Sequence, residues 1–230
     1  MVLGWVLAGL GMLLFASLGR WQLGRMHEKQ AMLDDVQSLL DRRDALPFTA
    51  AGDAAVRYQW AAGEGHFTAL PAVLLDNQQR DGRAGVRAYR VFEPVTGAPL
   101  LVELGWLPLP GDRTLPRIDR PAGELQLQGL LVPPPSRGLG RVAVSPQPDG
   151  TLLVTALEIE RLREALREPR LAPRVLKLDP ALPLGHARDL DILPNTLPPA
   201  KHLGYAVQWF GLALAVLATA LILTFRKTRR

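Results

Sequence analysis

Two uncharged stretches bracket the chain, and the hydrophobic pattern between them changes period. Val2 to Leu18 is an apolar run of 17 residues, and Leu203 to Phe225 is a second of 23 with Gln208 its one strongly polar member. A helix crosses a bilayer with about 20 apolar residues, so 1–20 and 203–225 read as transmembrane helices. After the first run Met32, Leu33, Val36, Leu39 and Leu40 recur at spacings of three and four, which predicts an amphipathic helical stalk over 21–46, ended by Pro47.

From 47 to 179 the pattern becomes one of short strands, at 56–60, 67–75, 86–92, 100–107 and 124–132. Gly63-Glu64-Gly65, Asp81-Gly82, Thr96-Gly97 and Pro110-Gly111-Asp112 read as the breaks between them, with a hairpin around Thr96-Gly97. Leu125 and Leu127 alternate with Gln126 and Gln128, which gives that strand one wet face. Pro133-Pro134-Pro135 and Gly138-Leu139-Gly140 form a loop, 151–154 a further strand, and 175–178 another. Thr155-Ala156-Leu157-Glu158 reads as a capping box opening a helix with the apolar stripe Ile159, Leu162 and Leu166, closed by Pro169. A Pro-rich connector, 180–202, returns to the second apolar run, and 226–230 is a basic tail. The expected fold is α+β: two transmembrane helices flanking a β-rich extracytoplasmic domain, built as an antiparallel sheet or a partly open barrel.

Charge sets the orientation. Arg226, Lys227, Arg229 and Arg230 mark the cytoplasmic side, and with two spans both termini lie there. The central domain is then periplasmic, and a translocated domain of that length escapes the charge rule that Arg20 and Arg25 would otherwise invoke. Four of the 27 basic residues sit in the tail, which leaves 23 against 22 acidic ones, so the excess charge forms no nucleic-acid surface. The first run lacks the basic n-region and A-x-A site of a cleaved signal peptide and reads as an anchor in membrane lipid. No Arg- and Ser-rich transit segment precedes it, and arginine far outnumbers lysine, which points to a bacterial inner membrane.

No cysteine is present, which excludes disulfides, thiolate metal sites and CxxC redox chemistry on this chain. G-x-S-x-G, Walker A and G-x-G-x-x-G loops are absent, and His27-Glu28 begins a zincin motif that Ala31 fails to complete. His66, His186, Asp189 and Asp191 read as strand-end or solvated loop residues. The domain is expected not to be an enzyme.

That leaves the membrane boundary. His202, Tyr205 and Trp209 lie at i, i+3 and i+7, on one face of a helix. Gly211 and Ala215, with Gly4, Ala8 and Gly11 on the first span, offer small surfaces for close helix packing. Two readings fit. His202 is an axial ligand to haem iron beside aromatic walls, with Arg20, Arg25 and Lys201 placed for the propionates. Alternatively it is an interfacial histidine within an ordinary aromatic belt and snorkelling cations.

Two stretches tip the balance. His202-Leu203-Gly204-Tyr205-Ala206-Val207-Gln208-Trp209-Phe210 resembles the second-span signature of the surfeit locus protein 1 family of cytochrome c oxidase assembly factors. Leu18-Gly19-Arg20-Trp21-Gln22-Leu23-Gly24-Arg25 resembles its first-span exit, L-G-x-W-Q-L-x-R. Between them, 63–67, 75–85 and 101–108 follow that family's order of strand motifs, except that Leu104 stands where the family usually has arginine before Gly105-Trp106; between Pro133 and the second-span motif little matches. The resemblance implies a non-catalytic assembly factor for a haem-copper oxidase that assists delivery or insertion of haem A into oxidase subunit I, with a haem A synthase as a further candidate partner. It implies a haem-ligand role for His202 alone, and a structural or partner-contact role for Gly105 and Trp106. The alternatives are a scaffold that binds nascent oxidase subunits without haem, and a haem-binding electron carrier or sensor. A carrier would hold a stable, stoichiometric redox group.

Overall fold

A computed structural model of the protein describes residues 2–135, 142–192 and 197–228. The Gly138-Leu139-Gly140 loop and the tail residues Arg229 and Arg230 lie outside them. The chain divides into two compact units, one of 1–37 with 193–230, the other of 38–192.

In the first unit the apolar runs form helices α1 (Val2–Arg42) and α3 (Pro199–Thr228). α1 is uninterrupted, so the first apolar run and the amphipathic stretch after it share one helix. Met32, Leu33, Val36, Leu39 and Leu40 are its shielded positions there, as their spacing predicts. The helix stops at Arg43, four residues before Pro47. Arg43 takes the left-handed conformation (φ 51°) and its N–H closes on Leu39 O at 2.8 Å. Its guanidinium bonds Asp179 at 2.8 Å and lies 4.9 Å from the Trp60 ring, so a tertiary anchor ends the helix before proline can.

Helices α1 and α3 run antiparallel. Trp5 Nε1 donates to Thr224 Oγ1 at one end (3.2 Å), Phe15 stacks on Trp209 in the middle (5.7 Å), and Lys29 Nζ donates to Leu197 O at the other (2.5 Å). Both helices are long and apolar enough to cross a membrane, and little of either apolar stretch is buried within the protein. Of the small residues expected to bring them together, Gly11 does approach α3, an added Cβ there lying 3.9 Å from Val216 Cγ1, whereas one at Gly4 or Gly211 would meet nothing within 4 Å. The close approach comes at Gly19, where a Cβ would stand 2.8 Å from Phe210 Cζ. An aromatic ring against a glycine replaces the small-on-small seam.

The described residues of the second unit form the last turn of α1, a 3-10 turn at Phe48–Gly52, a short α-helix and a sheet. Its strands are β1 (Gln59–Phe67), β2 (Val73–Arg80), β3 (Arg83–Pro94), β4 (Leu100–Pro108), β5 (Glu124–Val132), β6 (Val144–Pro146), β7 (Leu152–Val154) and β8 (Val175–Leu178). Pairing runs β1-β5-β8-β4-β3-β2-β7-β6, and β3 also pairs with β1 through Phe92↔Phe67, so β1, β5, β8, β4 and β3 close a ring. Neighbours joined by tight turns are antiparallel. The sheet is nevertheless mixed, not antiparallel throughout, because β8 runs parallel to β4 and β7 parallel to β2. β8 returns after a long connection through a helix, and β7, paired antiparallel with β6 across a short turn, has no hairpin to β2, so neither parallel pairing is set by a tight turn.

The first two strands are displaced from their expected positions. Gly63-Glu64-Gly65 is no break but the middle of β1. A Cβ on Gly65 would lie 2.2 Å from Glu93 O, so this glycine admits the neighbouring backbone of β3 where a turn was expected. Asp81-Gly82 does turn the chain: both residues have positive φ (51° and 73°), the geometry of a two-residue hairpin loop between β2 and β3. β5 has the expected wet edge at Glu124 and Gln126, but Leu130, Leu131 and Val132 are buried on both faces.

Phe48, Phe67, Leu74, Ala88, Phe92, Leu100, Val102, Leu127, Leu131 and Leu176 fill the interior. Phe92 meets Phe67 edge-on at 5.2 Å and Phe48 at 6.0 Å, arrangements favoured by the ring quadrupoles. Each full burial of such a side chain contributes about 1.5–3 kcal/mol. Helix α2 (Ile159–Leu166) buries Ile159, Leu162 and Leu166, the expected stripe. It begins at Ile159, with Glu158 rather than Thr155 at the N-cap and no side-chain bond capping from Glu158. Thr155 Oγ1 accepts the Ala143 N–H at 3.0 Å, beside the β6–β7 pair.

Candidate functional site

The end of α3 gathers the polar chemistry of the first unit. Pro199 opens the helix where a missing N–H costs nothing, and the Lys201 N–H bonds Pro198 O at 3.0 Å. His202 follows in the first turn and is 7 % exposed. Its Nδ1 lies 2.7 Å from Gln22 Oε1 on α1, while Nε2 is buried without a hydrogen-bond partner among the described residues. A buried polar atom left unpaired costs about 1–3 kcal/mol, and such atoms mark functional positions when a ligand completes them.

One turn further Ala206 is buried, and below it the half-buried Trp209 stacks on Phe15. His202, Ala206 and Trp209 therefore form the face turned toward α1. Tyr205 belongs to a different one: it is 41 % exposed, because a step of three residues rotates it about 60° away from His202. Arg20 and Arg25 are exposed on α1, and Arg25 pairs with Glu28 at 2.5 Å, a surface pair that contributes little to stability. The sequence motif contains Gln22, Phe15 lies three residues before it, and neither stands out by type. Their partners lie 180 and 194 positions away, so only the fold reveals them.

The second unit holds a charged cluster that sequence reasoning missed. Arg87 and Glu103, both buried, face each other across β3 and β4 with Nη1 and Oε1 2.5 Å apart, and the Tyr89 hydroxyl donates to Glu103 at 3.4 Å. Burial and then Glu103 push the Tyr89 phenol well above its ordinary range. Lys177 donates to Asp191 O at 2.5 Å and lies 3.6 Å from Asp189, whose other oxygen binds Arg80 at 2.7 Å. Burial raises the Asp189 carboxyl, but Lys177, the Asp191 N–H, Arg87 and Arg80 together outweigh it and hold the group below its usual value. Asp189 is thus a structural counter-ion, while Asp191 is exposed and contributes its backbone N–H and carbonyl to the cluster.

Much of the Pro-rich segment after β8 lies against the sheet. The Arg188 guanidinium donates to the carbonyls of Asp179, Leu182 and Leu184, and Trp106 N–H bonds Ala187 O at 2.7 Å. Gly105 has φ +120°, and a Cβ there would lie 2.9 Å from the His186 and Ala187 carbonyl oxygens, so this strap needs glycine in the motif. His186 is lodged here, and burial followed by Arg188 lowers its pKa. His66 is exposed on β1 beside Glu93 and Glu124. Among the described residues no three His, Asp or Glu side chains converge as a metal site.

A family model for the SURF1 family matches residues 10–214, which include both membrane-end motifs and the whole sheet. The chain belongs to the SURF1 family. This is a family of cytochrome c oxidase assembly factors rather than of catalysts. A search of curated proteins found no match to the chain.

Proposed function

We propose that this SURF1 protein is a membrane-anchored assembly factor that takes haem A on His202 and passes it toward subunit I of a haem-copper oxidase. The buried, unpartnered Nε2 of His202 carries this reading, because a neutral imidazole nitrogen with a free electron pair is what haem iron accepts. The surrounding residues fit the group: Trp209 and Phe15 supply aromatic surface for a macrocycle, and Arg20 and Arg25 are cations at the same helix end. Tyr205, exposed on the flank of this face, would be a further contact for the group. Bound there, the haem would be cargo: one imidazole bond, with no cysteine to tether it, suits release. The redox chemistry belongs to the haem once it is installed in the oxidase.

The anchoring follows the helices. α1 and α3 span the bilayer as an antiparallel pair, the basic tail keeps both termini cytoplasmic, and the sheet domain lies in the periplasm of a bacterial inner membrane. Subunit I and a haem A synthase are the expected partners on that face.

The test is purification of the tagged protein from oxidase-expressing membranes, with pigment extraction and identification of accompanying subunits. Haem A and subunit I should co-purify, and His202→Ala should lose the haem and its Soret band while still inserting. Unchanged haem content and spectrum in His202→Ala would remove the ligand assignment. Co-purification of subunit I without haem from either protein would favour a scaffold.

A further inference from the structure

The contact between Gln22 and His202 selects which imidazole nitrogen is free. A glutamine Oε1 is only an acceptor, so the ring nitrogen 2.7 Å away from it must carry the hydrogen. A neutral imidazole protonated on Nδ1 has its lone pair on Nε2, the nitrogen that is buried with no partner. The reverse tautomer would set two lone pairs against each other at 2.7 Å and bury an unpaired N–H.

We propose that Gln22 is a positioning residue that holds His202 in the Nδ1–H tautomer and so leaves Nε2 as an electron-pair donor. That the donor serves haem iron rests on the functional reading above; the tautomer assignment does not. A hydrogen bond to the far nitrogen of a metal-binding histidine also fixes ring orientation and raises its basicity, and losing such a partner typically weakens metal binding about 10–100-fold. The bland alternative is that the pair is only polar glue between two membrane helices. Glue works with either polarity, including a glutamine turned to donate its amide N–H to Nδ1. Positioning requires the carbonyl to face the ring.

The experiment uses the full chain in lipid nanodiscs, free of haem and labelled with ¹⁵N-histidine, with His202→Ala identifying the His202 signals. The expected spectrum has Nδ1 protonated and Nε2 bare. Gln22→Leu should abolish that preference, and Gln22→Glu, whose carboxylate also accepts from Nδ1–H, should restore it. Titration with haem A should show affinity falling about 10–100-fold in Gln22→Leu. It should recover in Gln22→Glu with a lower haem midpoint potential. A wild-type His202 protonated on Nε2, or a tautomer unchanged by Gln22→Leu, would overturn the proposal. If the tautomer responds as expected but His202→Ala binds haem A like wild type, the positioning role stands and the haem reading falls.

Discussion

Trp106 lies against Gly85 across the β3–β4 pair: a Cβ added at Gly85 would come within 2.5 Å of the indole Nε1 and Cε2. The indole is buried and its Nε1–H donates to Gln78 O at 3.2 Å, so one side chain ties β4 to both β3 and β2. The Gly-Trp motif is thereby given a structural role. Gly85→Ala must push the ring off its bond, and overpacking of this kind costs about 1–3 kcal/mol. The expected result is a lower unfolding temperature of the full chain in detergent with haem content unchanged; an unaltered melting curve would refute the contact.

The buried pair Arg87–Glu103 yields a sharper test. Removing one member leaves an uncompensated buried charge, which costs about 3–5 kcal/mol, whereas replacing both with apolar side chains is often neutral. Arg87→Met and Glu103→Leu should each destabilise strongly, and the double variant should recover most of the loss. Additive losses in denaturant unfolding would mean that the pair is not coupled.

None of this cluster is legible in the chain, and the reason is physical. Strand alternation assigns Arg87 and Glu103 to the face opposite Ala88 and Val102 but cannot say that this face is covered. Turns with a local cause were readable: Asp81-Gly82 needs positive φ within two residues. Gly63 and Gly65 were misread because their requirement comes from Phe48 and β3, far along the chain. The membrane-end site was half legible, since His202 announces itself by type and motif. Gln22 gains meaning only from a partner 180 residues away.

Acid should expose the Asp189 counter-ion. Its folded pKa is depressed, so its contribution to stability is present above the unfolded value, about 3.9, and is lost as pH falls through the folded value. Asp189→Asn should therefore lower the unfolding temperature at neutral pH and converge on wild type in acid. Parallel melting curves down to about pH 3 measure this. A gap that persists or widens toward low pH would show that Arg80 and Lys177 do not hold the carboxylate.

The helix pair can be tested with unusual clarity because the chain has no cysteine, so any thiols introduced are the only ones present. The contacts from Trp5–Thr224 to Lys29–Leu197 define one antiparallel register, in which a Cβ at Gly11 would lie 3.9 Å from Val216 Cγ1. Gly4 and Gly211, the small residues that a close-packed seam would have used, meet nothing within 4 Å. That register alone puts Gln22 level with His202, so a slip of one turn, about 5.4 Å, would break the bond on which the tautomer depends. A short bis-maleimide should join Gly11→Cys to Val216→Cys within one chain, giving a faster-migrating monomer on a gel. The pair Gly4→Cys and Gly211→Cys, twelve residues out of that register, should stay unlinked under the same conditions. Adding Gly19→Leu to the first pair should weaken the link, since the side chain would collide with Phe210 and wedge the helices apart. Efficient linking of the second pair and none of the first would mean a different packing of α1 on α3, and would dissolve the site at His202 with it.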